Sequence, residues 1–368
     1  MNDIRIVTGY DKTAMASFAK EANKAAKELK TTTKEYAEAS LIFYQQGLRA
    51  DEVAKRAETV VKMSQVTGDS AKAVSDQMTA IWNNFDNGSK SLEYYADAMA
   101  KLGADTAAST SEIANGLEKF AAIAETVGLS YETAMASIAT VIDKTRQSAD
   151  VVGTAFKTIF ARVQGLSMDG VTDDGVSLNK YSQALKKVGV DVLTASGELR
   201  DMDEILNDLG AKWKGLGRES QVAVAQVVGG ARQYNQLLSL MDNWSEVQSN
   251  ILKAEGSTGE ISKQAEIWAD SYEAAANRVE EAKARAAENF LNSEDVVNLT
   301  NAFADLIEWT DKFIDSFGGV APLALSIVGL FSHKLIPIIK TGFTAFGNNF
   351  KTFMGNTLGS SEKLIKDT

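Results

Sequence analysis

The chain has 368 residues, 45% of them hydrophobic, and a formal net charge of −11. That is enough apolar material to bury a core of domain size, and it excludes a wholly disordered chain. An acidic balance of this size also excludes wholesale binding of a phosphate backbone, and 0 cysteines exclude disulfides, thiolate metal sites and a cysteine nucleophile, in keeping with a reducing cytoplasm.

Only 2 prolines occur, Pro322 and Pro337, so the chain before them lacks the strongest helix breaker and long helical stretches are expected. The opening MNDIRIVTGYDK has no uninterrupted apolar core of a signal peptide, and synthesis without export is the simpler expectation. The start is abrupt, as for a segment of a longer chain. Residues 1–35 read as an N-terminal helical connector, where Lys20, Lys24, Lys27 and Lys30 mix with Glu21 and Glu28 around Phe18 and Leu29. A solvated helix is the plain reading of that charge run, and a basic interaction arm is the alternative.

Residues 36–168 read as a helical domain of short amphipathic segments. Gly47 closes the first, Asp51 is a cap for the next with Val53, Ala57, Val60 and Val61 inward, and Asp69 opens a third with the stripe Val74, Met78, Ile81, Trp82 and Phe85. A helix through Leu92, Tyr95, Met99 and Leu102 follows. Ser109 and Glu112 form a capping box ahead of Ile113, Leu117, Phe120 and Ala124, and Ser130 starts the helix of Met135, Ile138, Val141 and Ile142. In the next helix Val152, Ala155, Phe156, Ile159, Phe160 and Val163 recur three and four apart, with Ser148 or Asp150 as its cap and Thr154, Lys157, Thr158 and Arg162 on the opposite face. An offset of 81 residues places Gly47-Leu48 on Gly128-Leu129, Thr59-Val60-Val61 on Thr140-Val141-Ile142 and Asp69 on Asp150. This suggests an internal duplication whose unit is a stacked helix pair.

Residues 169–256 read as a helical region containing a β-hairpin. Asp169-Gly170 and Asp173-Asp174-Gly175 have turn chemistry, and their spacing is not that of a calcium loop, so an acidic surface loop is preferred. After a helix through Tyr181, Leu185 and Val188, Val190 and Val192 alternate with polar residues, Ser196-Gly197 offers a turn and Leu199 follows, which predicts a small hairpin at about 189–200. Asp201 and Glu204 then cap a helix with Ile205, Leu206 and Leu209. Gly229-Gly230 lacks the lysine and hydroxyl of a phosphate loop and reads as a turn or close-packing point.

Three blocks now stand in order: ATVIDKTRQSADVVGTAFKTIFARVQGL, VGVDVLTASGELRDMDEILNDLGAKW and VAQVVGGARQYNQLLSLMDNW. Together they resemble the core of bacteriophage tail tape measure proteins, the TP901-type minor tail family, over roughly Tyr36 to Trp244. The most characteristic piece is Gly230-Ala231-Arg232-Gln233. The resemblance implies a structural protein with no catalytic residues and no cofactor. It implies a chain made in the host cytoplasm and carried inside the tail tube of the virion, where its length sets the length of the tube. It further implies release of the chain at DNA ejection, and partners among the tail tube and tail assembly chaperone proteins and other copies of itself. Lys157, Arg162 and Arg232 are then candidate assembly contacts rather than a set that reads a nucleic-acid sequence.

Residues 257–317 change pattern. Ile261, Ala265, Trp268, Tyr272, Ala275, Val279, Ala282 and Ala286 alternate four and three apart, the seam of a coiled coil, and predict one long helix packed on the preceding domain or on copies of itself. An amphipathic helix with Val296, Phe303, Leu306 and Phe313 follows. Residues 318–368 open with GGVAPLALSIVGLFS, which has no charge. As a helix its 15 residues reach roughly 22 Å, short of a bilayer core, so Pro322, Leu325, Ile327, Leu330 and Phe331 form a candidate membrane-active segment rather than a stable span. His333 is the only histidine and has no nucleophile signature beside it, so a catalytic triad is not indicated.

The fold class expected is therefore mainly α: a bundle of short amphipathic helices with one small β-hairpin, then a long heptad-patterned helix and an apolar C-terminal helical segment. The function expected is that of a scaffold and ruler in tail assembly. The alternative is a membrane-perturbing or channel-forming protein that acts through the C-terminal segment, with the host membrane as its target at ejection. No enzyme, metal site or cofactor is expected.

Overall fold

The computed structural model describes residues 1–164, 171–172, 175–176, 180–271, 274–279 and 281–282, all within one compact unit, Met1–Ala284. Two helices, α1 (Asn2–Thr8) and α2 (Lys12–Glu28), lead into α3 (Thr33–Gln45), α4 (Ala50–Thr67), α5 (Ala71–Phe85), α6 (Leu92–Asp105), α7 (Thr110–Thr126), α8 (Tyr131–Thr145) and α9 (Ala149–Gln164). Local chemistry sets most of these starts. Thr32, Ser70, Ser91, Ser109 and Ser130 each accept a first-turn N–H, and Thr32–Glu35 and Ser109–Glu112 close capping boxes, satisfying donors that a helix end otherwise leaves open. Two expected caps sit elsewhere. Asp51 lies in the first turn of α4 behind Arg49, and Asp69 yields the cap of α5 to Ser70 and instead accepts from Ser111 Oγ of α7 at 2.6 Å.

The chain zigzags between two rows of helices. In one row α3, α5, α7 and α9 neighbour one another in order; in the other α4, α6 and α8 do so. The members of the first row begin at Thr33, Ala71, Thr110 and Ala149, 38 or 39 residues apart. An offset of 81 residues carries the start of α4 onto that of α8, two steps along the second row (Ala50, Leu92, Tyr131), while the start of α5 lies 78 residues before that of α9. Each step is one helical hairpin stacked on the last, as in quasi-one-dimensional repeat architectures. α7 and α9 meet most closely at Gly116 and Gly153, where a Cβ on Gly153 would stand 2.5 Å from the Gly116 carbonyl oxygen.

The chain then turns back. After α10 (Lys180–Lys187) and α11 (Met202–Trp213), α12 (Arg218–Asp242) lies against α9 and α8, α13 (Trp244–Glu255) against α8 and α6, and α14 (Glu260–Ala269) against α6 and α4. The second row is thus covered on both sides. Ala134–Ile142 of α8 and Tyr94–Ala100 of α6 are buried without interruption, as befits a helix enclosed all round. Alanine recurs in both, as Ala134, Ala136 and Ala139 in α8 and as Ala96, Ala98 and Ala100 in α6. The core includes Phe156 stacked on Phe160 at 5.3 Å and edge-on to Phe120 at 5.8 Å. The expected stripe of α9 is the buried one: Val152, Ala155, Phe156, Ile159, Phe160 and Val163 are each at most 4% exposed. In α1 and α2, Ile4, Phe18, Ala22 and Ala26 are buried, and both helices pack on α3.

Two expectations are corrected. The hairpin at 189–200 does not form as two strands: the segment is a loop closed by one bridge between Leu193 and Leu199. Its first arm buries Val190 and Val192, but the second runs into the start of α11 at Met202 before a strand can develop. The strand pairing among the described residues is Val171–Thr172 with Gly175–Val176, inside the expected loop. The heptad helix is also interrupted. α14 ends at Ala269, and after Asp270 the Ser271 hydroxyl accepts from Ala274 N at 3.2 Å to begin a new turn. Within the described part, Ile261, Ala265 and Ala275 are buried, and α14 packs on α4 and α6 of the same chain. Tyr272 and Ala286, the amphipathic helix after 293 and the membrane segment with Pro322, Leu325, Ile327, Leu330 and Phe331 lie outside the described residues. No helix of the described residues is long and apolar enough to cross a membrane.

Candidate functional site

The three sequence blocks fall on α8–α9, on the 188–200 loop with α11, and on α12. They converge at one end of the double row. The α11 start is stitched to the turn between α7 and α8: Met202 N donates to Val127 O at 2.9 Å, and Ser130 N donates to Asp203 Oδ2 at 3.1 Å. Arg200 holds the loop over α11 by donating to Asp191 O at 2.8 Å, Asp208 at 2.8 Å and Glu204 at 3.0 Å. Buried Trp213 donates its indole N–H to Asp242 Oδ1 at 2.7 Å, tying the end of α11 to the end of α12, where Arg218 reaches the other carboxylate oxygen at 3.3 Å.

At the centre of the junction α12 breaks. Gly230 has φ 69° and ψ 179°, a backbone region essentially confined to glycine. The fold-back is tight enough that a Cβ on Gly229 would stand 2.7 Å from the Tyr234 Cα. Burial explains why the break is there. At 3.6 residues per turn a straight helix would set the buried pair Val224 and Val228 roughly 150° from the face of Leu237, Leu238, Leu240 and Met241. One set would then face water. Arg162, from the polar face of α9, lies across the break, and its Nη1 donates to Gly229 O at 2.7 Å and Val228 O at 3.4 Å. Its guanidinium stands 5.8 Å from the Tyr181 ring centroid. Gln236 Nε2, just past the break, donates to Gln147 Oε1 at 2.6 Å.

The α8–α13 contact continues the junction. Lys144 bridges Glu246 at 2.7 Å and Asp143 at 2.9 Å, and buried Asn250 donates to Thr140 Oγ1 at 3.1 Å. The Lys144 ammonium, together with the Ala107 N–H, holds the Asp143 carboxyl below its ordinary range, and Glu246 and Asp143 hold Lys144 above its own.

Of the candidate assembly contacts, Lys157 and Arg232 are exposed. Arg162 is half-buried and engaged within the chain at the α12 break. The electrostatic residues that sequence reasoning did not single out are long-range. Asp97 of α6, 4% exposed, accepts from Gly259 N at 2.9 Å and Ile261 N at 2.8 Å, and so caps α14, whose own N-cap residue is a glycine. Beside it Lys62 of α4 bridges Glu58 and Glu93, each at 2.9 Å, and donates to Ser262 Oγ at 3.0 Å. Buried Glu281 accepts from Thr33 N at 2.9 Å and Asn23 Nδ2 at 3.2 Å, tying the returning chain to the start of α3. Apart from Glu58 and Glu93, which lie 4 and 31 residues from Lys62, these partners are 162 to 258 residues apart, and no local signal in the sequence reveals them.

Among the described residues no cluster of histidine, aspartate and glutamate could hold a metal ion. Most of the junction's polar groups serve caps, ion pairs and one broken helix. This is the chemistry of a structural helical body, whose side chains fix elements in place. In comparison with known families, residues 19–230, more than half of the chain, match the model for phage-related minor tail protein, and the chain belongs to that family. Its role is structural, in the phage tail. The matched region runs from α2 to the break in α12. No solved structure matches the chain.

Proposed function

We propose that this chain is part of a tail tape measure protein, which scaffolds assembly of the tail tube, helps set its length and leaves with the DNA at ejection. The observation that carries this reading is the order and joining of the three blocks: they resemble the tape measure core in sequence, and in space the third is tied to the first by Arg162 at Gly229 and to the second by Trp213 at Asp242. The double row is a compact state. A helix advances about 1.5 Å per residue, so a ruler of tail length requires an extended state or chain outside this body. Exposed Lys157 and Arg232 are the residues proposed to touch tail tube proteins, tail assembly chaperones or further copies. The test is an in-frame deletion within the complete gene, with tail lengths measured by electron microscopy. Tails shortened in proportion to the residues removed are expected, and unchanged length would remove the ruler role from the deleted part.

A further inference from the structure

We propose that α12 is a two-position element, that Arg162 is its catch, and that release of the catch lets the broken helix straighten and turn its second apolar face outward. Each position is built from features already described. In the closed position Gly230 takes up its left-handed φ and Arg162 occupies the carbonyls of Val228 and Gly229. In a continuous helix those carbonyls would accept instead from the N–H groups of Arg232 and Gln233, so the guanidinium stands in for the donors of the straight form. Straightening needs no bond beyond the ordinary helical ladder, and Gly230 can adopt either backbone conformation without a Cβ clash.

The two positions differ in what they show to solvent. With the break, Val224 and Val228 and the set Leu237, Leu238, Leu240 and Met241 are all buried. Without it the second set rotates by roughly 150° relative to the first and leaves the core. α12 has 25 residues, so the straight form is a rod of about 37 Å with one apolar stripe on each side of it. Small changes at such a junction become discrete ones because packed cores are bistable rather than continuously deformable. The catch lies at the meeting point of α9 and α12, so any force or partner that parts these two helices opens it. Its biological use, conversion of a compact body to an extended one, rests on the tape measure reading; the switch itself does not.

The test uses the whole chain, which has no cysteine and takes labels cleanly. Spin labels at Ser220→Cys and Asn235→Cys, both exposed positions, are separated by about 22 Å along a straight helix and by less across the break. The parent chain is expected to give the shorter distance. Arg162→Ala is expected to speed amide exchange of residues 236–242 at least tenfold while α7 is unaffected. Arg162→Ala with Gly230→Ala is expected to add a population at about 22 Å. Unchanged exchange in Arg162→Ala, or exchange that rises equally in α7, would overturn the proposal. If the double variant does not fold, Arg162→Ala and Arg162→Gln decide alone, because Gln keeps a donor and is expected to fall between Ala and the parent. All of these readouts come from the isolated chain, so they stand or fall separately from tail length.

Discussion

Replacing Asp97 by alanine tests how the returning part of the chain is held. Its carboxylate is the cap of α14, and the two N–H groups it serves sit at a buried helix end. An unsatisfied buried donor costs about 1–3 kcal/mol. Removal of the buried charge offsets part of the loss, since burial pushes the Asp97 carboxyl above its ordinary range against the two N–H bonds that lower it. A net loss of about 2–4 kcal/mol at α14 follows from these two opposing contributions. The other ties of the helix are few: Ile261 is its one large buried aliphatic side chain, with Ala265 and Ala269 beside it, and Ser262 and Gln264 bond to Glu93 and to Ala100 O of α6. Its docking is therefore expected to fail locally, before the body unfolds. Hydrogen exchange followed by mass spectrometry reads this directly. Amides of residues 260–269 should exchange faster by a factor of about 30 or more, since every 1.4 kcal/mol is tenfold, while α7 and α9 keep their protection. Asp97→Asn, with one acceptor oxygen and an amide that faces the second donor, should fall between. Parent-like protection of α14 in Asp97→Ala would refute the capping argument, and loss of protection everywhere would show that α14 is not a separate unit.

Two further outcomes follow from the geometry. Asp143→Asn should flatten the acid side of the stability profile: a carboxyl held low by Lys144 contributes stability that is present above its unfolded pKa and lost as pH falls through the folded one, whereas Lys144, held high, contributes below its unfolded pKa and loses that contribution as pH rises through its own. Urea midpoints from pH 3 to 6 check this, and a parent-like acid limb would refute it. Gly153→Ala sets two effects in opposition, about 1 kcal/mol of helix propensity gained against about 1–3 kcal/mol of overpacking where the new Cβ meets the Gly116 carbonyl. Net destabilisation in urea is expected, and a variant more stable than the parent would show that α7 and α9 can part without cost.

What can be read from the sequence is what depends on near neighbours. A hydroxyl accepting the N–H three residues on placed the starts of α7 and α8, and the three-and-four spacing from Val152 to Val163 identified the face that α9 buries, because both signals are complete within a few turns of chain. The order of the three blocks pointed to the family for a similar reason, since it is a property of the string itself. Other signals were legible but ambiguous. Ile261, Ala265 and Ala275 mark a buried face, but an alanine-rich face fits a coiled-coil partner and a close-packed body equally well, and only the α4–α6 surface decides between them. Val190, Val192 and Leu199 had the period of a hairpin, yet α11 begins too soon after them for a second strand.

The rest was decided by tertiary structure alone. Arg162 sits on the polar face of α9, and nothing local distinguishes it from Lys157. One reaches the carbonyls of Val228 and Gly229 and the other faces water, because α12 returns past the end of α9 rather than its middle. Asp97 and Glu281 owe their roles to a chain that reverses and runs back along its own rows, so their partners are set by topology and not by spacing. The amino-acid sequence determined that this protein is a series of capped amphipathic helices of the minor tail family. Where those helices stack, which charges they bury and where α12 must break were decided by the requirement that every apolar face find cover in one compact unit.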